Sequence, residues 1–391
     1  MIMRFSSVVF AGALLARTAF SFQSGSSAHS ISRMTALRST AATEEAVAAP
    51  KSFVGSKLND LDIAKEALAK FYDDIEGVTI EPTTGGVNNI VQYITLPSGE
   101  RELLRIYNNG CDSMRVQWEH DILKQLNTFD LSFGVPKFLE SKEGTTMVRL
   151  SNGADACMCE LIPGGLPKLT AVEDIGRASG ELNTALTKVD IETSRCNVAP
   201  YWKMWDVHHA VTRESFEEEM NGPHFDEVRE TADRLLKETL DIVDRCEGKY
   251  QSLPIQLIHG DLHYDNVLVD EGKVTALLDF EFAAFDWRAM ELAICLSKYA
   301  GEEPDAMPYF VDFITGFAKT GKLTKEEAEA VPDLINLRIL SNIVYFVGRH
   351  QAQEDNISSI TTRIQNYEKR VNWVKENSDA IVKCIVDEMG L

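Results

Sequence analysis

His259-Gly260-Asp261-Leu262-His263-Tyr264-Asp265-Asn266, followed by Asp279-Phe280-Glu281, is the stretch on which the reading of this chain turns. Phosphoryl transfer to a hydroxyl needs a carboxylate that orients the attacking oxygen and accepts its proton. It also needs oxygen ligands that hold magnesium against the phosphates. An Asp and an Asn five residues apart on a tight loop can point into one site. The runs Val267–Val269 and Val274–Leu278, joined by the turn Asp270-Glu271-Gly272, predict a hairpin. Its open end brings Asn266 and Asp279 side by side. The bland alternative is an ordinary hairpin with polar turns.

The same run resembles the catalytic loop and metal-binding motif of the aminoglycoside phosphotransferase and choline kinase superfamily. These are relatives of the protein kinases, with His-Gly-Asp in place of His-Arg-Asp. The resemblance extends over nearly all of residues 55–391, and its specific motifs are concentrated in residues 257–293. It implies an α+β class and a bilobal protein-kinase-like fold, with a β-rich N-lobe and an α-rich C-lobe. It also implies ATP as donor, Mg2+ as metal and a small molecule as acceptor. Carried over, Asp261 is the catalytic base, and Asn266 and Asp279 are magnesium ligands. His259 orients the loop backbone. Glu281 replaces the Gly of the protein-kinase Asp-Phe-Gly and matches choline kinases, which argues against a flipping activation segment.

Upstream motifs fall where such a fold needs them. Gly85-Gly86-Val87-Asn88-Asn89 lies between strand-like runs and can bring backbone N–H groups close to phosphates, although a Gly-Gly hairpin turn reads the same. Arg105 occupies the position of the phosphate-binding Lys of kinases; it stays charged and offers a fork of donors. Glu119, on the next helix, is its natural ion-pair partner. Glu160-Leu161-Ile162-Pro163-Gly164 resembles the hinge, where the backbone of Glu160 and Ile162 would bind adenine.

The acceptor is less legible. Asp286-Trp287-Arg288-Ala289-Met290-Glu291 stands where relatives start a helix with Asp-Pro-x-x-Asp-Leu-Ala. Asp286 is expected to cap that helix and brace the catalytic loop, or to touch substrate together with Glu281. Arg288 could receive a substrate carboxylate. Trp202 and Trp205, in an aromatic-rich insertion with His208 and His209, could wall a pocket or cage a cation. The runs Asp261-Leu-His-Tyr-Asp-Asn-Val-Leu and Leu278-Asp-Phe-Glu-Phe-Ala-Ala-Phe-Asp locally resemble bacterial homoserine kinases of this superfamily. Homoserine or a similar amino alcohol therefore ranks first, choline or ethanolamine second, and a sugar or aminoglycoside third. A nucleotide-binding pseudokinase scaffold is a different class, which the presence of Asp261 with both metal ligands argues against. A protein kinase would need Asp-Phe-Gly and Ala-Pro-Glu segments, which the chain lacks.

Working outward, 391 residues suit two lobes, and 44% apolar content suits a packed core. The formal charge of −21 argues against a nucleic-acid partner. Seven scattered cysteines point to a reducing compartment rather than a disulfide framework or zinc site. No apolar stretch reaches the roughly 18–20 residues that cross a bilayer, which predicts no stable membrane insertion. Residues 1–50 read as a targeting leader and linker. A basic start and an apolar Ser6–Ala16 precede Ala19-Phe20-Ser21-Phe22, and the Ser-, Ala- and Arg-rich Gln23–Thr40 follows without acid. This resembles the bipartite leader of plastid proteins in algae with secondary plastids; secretion and mitochondrial import are the alternatives. Residues 51–162 then form the expected N-lobe and 163–391 the C-lobe. Helix starts are expected at Thr170-x-x-Glu173 and Thr324-x-x-Glu327, both capping-box patterns. Nothing in the sequence fixes an oligomeric state.

Overall fold

The structure, a computed structural model, describes residues 61–83, 89–108, 112–302 and 305–391. The leader and the glycine-rich segment with Gly85, Gly86 and Asn88 lie outside the described residues. Helix α1 (Leu61–Phe71) places Ala64, Ala67 and Leu68 on one buried stripe. It packs on an antiparallel five-stranded sheet of β1 (Thr79–Pro82), β2 (Ile90–Thr95), β3 (Arg101–Ile106), β4 (Val148–Arg149) and β5 (Asp155–Glu160), in the order β1-β2-β3-β5-β4. Pro97-Ser98-Gly99 turns β2 into β3, with Gly99 at φ +87°. In β3, Leu104 and Ile106 face the core under α1 while Arg105 faces the other way. The register pairs Arg105 with Val91 on one side and Cys157 on the other. Cys157 and Cys159 are buried on the Arg105 side of β5, beside Tyr107. Helix α2 (Ser113–Leu126) follows, its first turn capped by Asp112.

Beyond residue 163 the chain is mainly helical. Helices α3 (Val172–Leu186), α4 (Arg213–Asn221) and α5 (Arg229–Lys249) lead into β6 (Ile255–Ile258) and the hairpin β7 (Val267–Asp270) and β8 (Lys273–Leu277). Strand β9 (Ala284–Trp287) pairs with β6 and runs directly into α6 (Arg288–Tyr299). Then come α7 (Met307–Ala318), α8 (Lys325–Gln351), the single turn α9 (Ser358–Thr361), α10 (Ile364–Glu376) and α11 (Ser378–Met389). One continuous apolar core joins α2, α3, α5, α6, α7, α8, α10 and α11. This is the β-sheet lobe and helical lobe of the expected kinase-like architecture.

Some expectations give way. Thr170 and Glu173 do not form a capping box: the Thr170 hydroxyl donates to Pro167 O, Glu173 pairs with Lys319, and Ala171 enters α3 at φ +56° without a side-chain cap. The box at Thr324 and Glu327 does form. The 27-residue α8 is long and apolar enough to cross a membrane by length and composition, contrary to the reading of the sequence. Most of its most apolar window, 72%, is buried inside the protein, as expected of a core helix.

Helices α3 and α7 cross with their backbones in contact. A Cβ on Gly176 would strike Phe313 O, and one on Gly316 would strike Glu173 O. Glycine is required here by close approach rather than by conformation.

Candidate active site

The catalytic loop hangs between β6 and β7 and is built mainly from buried backbone contacts. His259 is fully buried; its Nε2 faces Leu278 O at 2.9 Å and its Nδ1 faces Asp261 N at 3.2 Å. Donation from Nε2–H to the carbonyl leaves Nδ1 to accept the Asp261 amide, so a neutral ring satisfies both. Burial agrees, pushing the imidazole down to about 4. Gly260 turns at φ +82°, and a Cβ there would collide with Phe282 O. A glycine at this position thus lets the loop lie flat on the segment after β8.

Glu291 of α6 holds the loop from below. Its Oε2 accepts His259 N at 2.6 Å, and the Gly260 amide also favours its charged form. Its Oε1 is buried without a partner. Burial raises its carboxyl to about 7 despite those bonds. The bracing expected of Asp286 therefore falls to Glu291. Asp286 is fully buried and accepts Tyr201 N and Trp287 N, both at 2.6 Å. It does not cap α6 but anchors the turn that carries Tyr201, whose hydroxyl donates to Gly260 O at 2.9 Å.

Asp261 and Asn266 share one turn: Asn266 Nδ2 donates to Asp261 O at 2.9 Å, leaving the Asn266 amide oxygen for a ligand. Leu278 N donates to Asn266 O, so the hairpin end sets Asn266 and Asp279 together. Asp279 adopts φ +66°, a conformation that costs a non-glycine residue on the order of 1 kcal/mol. It turns the carboxylate onto Arg105, 2.8 Å away. Arg105 also contacts Glu119 at 2.8 Å and Glu281 at 3.2 Å, and lies over the Tyr107 ring. Glu281 in turn accepts from Asn89 at 2.6 Å. Three carboxylates thus surround one guanidinium. Burial first, and then the charge of Glu281, push Asp279 up to about 7 against the pull of Arg105. This excess of anionic oxygen suits a divalent cation, which would relieve it; the Asn266 amide oxygen adds a neutral hard ligand.

Asp261 has a partner that sequence reasoning missed. Arg338 of α8 donates from Nη2 to Asp261 Oδ1 at 2.7 Å, and His263 Nε2 lies 3.6 Å from Oδ2. Burial alone would raise the Asp261 carboxyl, but His263 and Arg338 more than offset it and hold it well below the usual carboxylate range. The signal that could have found Arg338 is a lone arginine in the apolar run Leu334–Leu340.

The remaining candidates separate. Ile162, whose backbone N–H and C=O have no backbone partner among the described residues, follows β5, where the Glu160 side chain pairs with Lys137 at 2.5 Å. Arg288, the expected carboxylate receptor, is instead taken up in a two-pronged pair with the buried Glu327. Trp202 packs on Trp287 with centroids 5.0 Å apart, and Trp205 packs on Phe216. Both tryptophans are partly buried and pack against the apolar core.

Residues 79–322 match the model of the phosphotransferase enzyme family. The chain belongs to that family. It is a small-molecule kinase, and the substrate partner it needs is a small molecule. Among curated relatives, the homoserine kinase of Zymomonas mobilis is 25% identical over 258 residues, covering 65% of this chain and 75% of that protein. That of Beijerinckia indica is 37% identical over 122 residues, 29% of this chain and 37% of that protein. The structure of a microcompartment-associated aminopropanol kinase superposes with a TM-score of 0.62 at 18% identity, covering 83% of this chain and 99% of that one. An amicoumacin kinase in complex with AMP-PNP and Ca2+ gives 0.59 at 17% identity, over 82% of this chain and 94% of that one. At such identities these structures establish the fold.

Proposed function

We propose that this kinase uses ATP with Mg2+ to phosphorylate the hydroxyl of homoserine or a closely similar amino alcohol. The observation that carries the reading is the convergence of Asp261, Asn266, Asp279 and Arg105 on one cleft. The relatedness to homoserine kinases supports the acceptor, and the AMP-PNP bound by a structural neighbour supports the donor.

Asp261 is the base. Held well below the usual carboxylate range, it is ionised at neutral pH and ready to accept a hydrogen bond from the acceptor hydroxyl. As the hydroxyl oxygen bonds to the γ-phosphorus, the bond from that phosphorus to the β–γ bridging oxygen breaks and ADP departs. The proton of the hydroxyl passes to Asp261. Asn266 and Asp279 would hold Mg2+, which when bound neutralises charge on the phosphates. Arg105, held by Glu119, would offer N–H groups to phosphate oxygens. The turn with Gly85, Gly86 and Asn88 would cover the phosphates, and the backbone of Glu160 and Ile162 would take adenine.

The test is ADP release by the full chain with Mg-ATP against homoserine, choline, ethanolamine, methylthioribose and an aminoglycoside. Turnover restricted to homoserine supports the acceptor, and turnover on another compound alone would replace it. The leader adds a plastid as site of action, tested by imaging a fluorescent fusion of residues 1–60 in an alga with secondary plastids.

A further inference from the structure

Arg338, partly buried, stands beside the catalytic base, and the partly buried Arg370 stands near Arg338. Arg338 uses one N–H on Asp261 and one on Asn342 Oδ1, at 2.7 and 2.6 Å. A guanidinium has five N–H groups, and the Nε of Arg338 is buried without a partner. Tyr201 lies beneath the guanidinium, 5.3 Å from ring centroid to Cζ, and fixes its plane. Arg370 of α10 gives Nη2 to Ser297 O at 2.5 Å, at the end of α6. Its Nε is also buried without a partner, and no carboxylate among the described residues lies within ion-pair distance of it. Nearby acids are otherwise engaged: Asp265 pairs with Lys298 at 2.8 Å. The Arg338 charge is felt at Arg370, and Tyr367 is within electrostatic reach of both. Asp261 is thus the one carboxylate in ion-pair contact with either guanidinium among the described residues, and two buried Nε–H groups lack an acceptor, an arrangement that an anion would complete.

We propose that Arg338, backed by Arg370, is a carboxylate subsite next to Asp261, and that the acceptor is an amino-acid alcohol whose carboxylate fills it. The inference rests on the function proposed above and narrows its substrate class. It replaces Arg288, which Glu327 already occupies, as the residue that reads the acid group. The geometry suits the size of homoserine. Its hydroxyl oxygen and carboxylate carbon lie about 5 Å apart when extended, given bonds of ~1.5 Å. One guanidinium can thus touch both the base that receives the hydroxyl and the carboxylate at the other end of the molecule. A planar fork of donors is suited to that bridging, and an ammonium is not.

The test compares L-homoserine with 3-aminopropan-1-ol, the same molecule without its carboxylate, in the full chain and in Arg338→Met and Arg338→Lys. We expect the wild type to favour homoserine in kcat/KM by about 100-fold or more, as befits a site whose buried donors are left unmade by the smaller compound. Arg338→Met should remove most of that preference, chiefly through the KM for homoserine, with the KM for ATP changed less than about 3-fold. Arg338→Lys should restore part of it. If Arg338 only positions Asp261, both substrates lose the same factor and the preference survives, which overturns the subsite. Equal wild-type turnover of the two compounds also overturns it while leaving the kinase reading standing. No ADP release from the wild type with either compound overturns both.

Discussion

Asp261 and Glu291 serve one loop in different ways, and substitution separates them. In the proposed reaction Asp261 receives the acceptor hydroxyl, so Asp261→Asn should lower kcat by about 10²–10⁴ while ATP affinity measured by calorimetry holds. Glu291 acts through the backbone. Glu291→Ala orphans the buried amides of His259 and Gly260, each worth about 1–3 kcal/mol, and should lower the melting temperature as well as kcat. Glu291→Gln keeps an acceptor oxygen in place and should retain most of the stability; equal loss in both variants would show that the charge, not the hydrogen bonds, matters. These two residues also differ in how visible they are before folding. Asp261, Asn266 and Asp279 sit in a local pattern whose spacing encodes the geometry. Arg338 reaches Asp261 across 77 positions of sequence, and no local spacing can report that.

At the scale of elements, the hairpin β7–β8 is tied to α3 by Asp174. Its carboxylate accepts Val274 N at 2.8 Å and pairs with Arg177 at 3.0 Å and Lys273 at 3.2 Å. Burial would raise its carboxyl, but these three contacts outweigh that and bring it from 3.8 to about 2. A depressed folded-state value means stability that is present above about pH 3.8 and lost as pH falls toward 2. The contribution is about 1 kcal/mol once solvent screening is allowed for. Asp174→Asn should therefore lower the melting temperature at pH 7 and lower it far less at pH 2, and a difference of the same size at both pH values would refute the assignment. The same element shows where sequence reading fails. Thr170-x-x-Glu173 and Thr324-x-x-Glu327 are the same pattern, yet one caps a helix. The Thr170 hydroxyl is captured by Pro167 O, a competing local acceptor, and Glu173 by Lys319 from α7. The α3–α7 crossing is likewise set by backbone contact at Gly176 and Gly316, so Gly316→Val should destabilise the chain by several kcal/mol, read as a fall in the urea midpoint.

For the molecule as a whole, the sheet lobe supplies Arg105 and the helical lobe supplies Asp261, Asn266, Asp279 and the arginines beneath them. The alternation of β3, which turns Leu104 and Ile106 inward, is what aims Arg105 at the cleft, and that much was legible from Leu103–Tyr107. The tryptophans were not: an aromatic-rich insertion reads alike whether it lines a pocket or, as Trp202 and Trp205 do, packs on neighbours such as Trp287 and Phe216. The proposed metal role of Asn266 and Asp279 makes turnover dependent on a divalent ion. Chelation with EDTA should abolish turnover and added Mg2+ should restore it, whereas undiminished activity in EDTA would remove Asn266 and Asp279 from the metal role. The most direct measurement is 31P NMR of the full chain mixed with Mg-ATP and homoserine. The account predicts a new phosphomonoester resonance that grows with ADP in the wild type and is lost in Asp261→Asn. A resonance that persists in Asp261→Asn at the wild-type rate would contradict it.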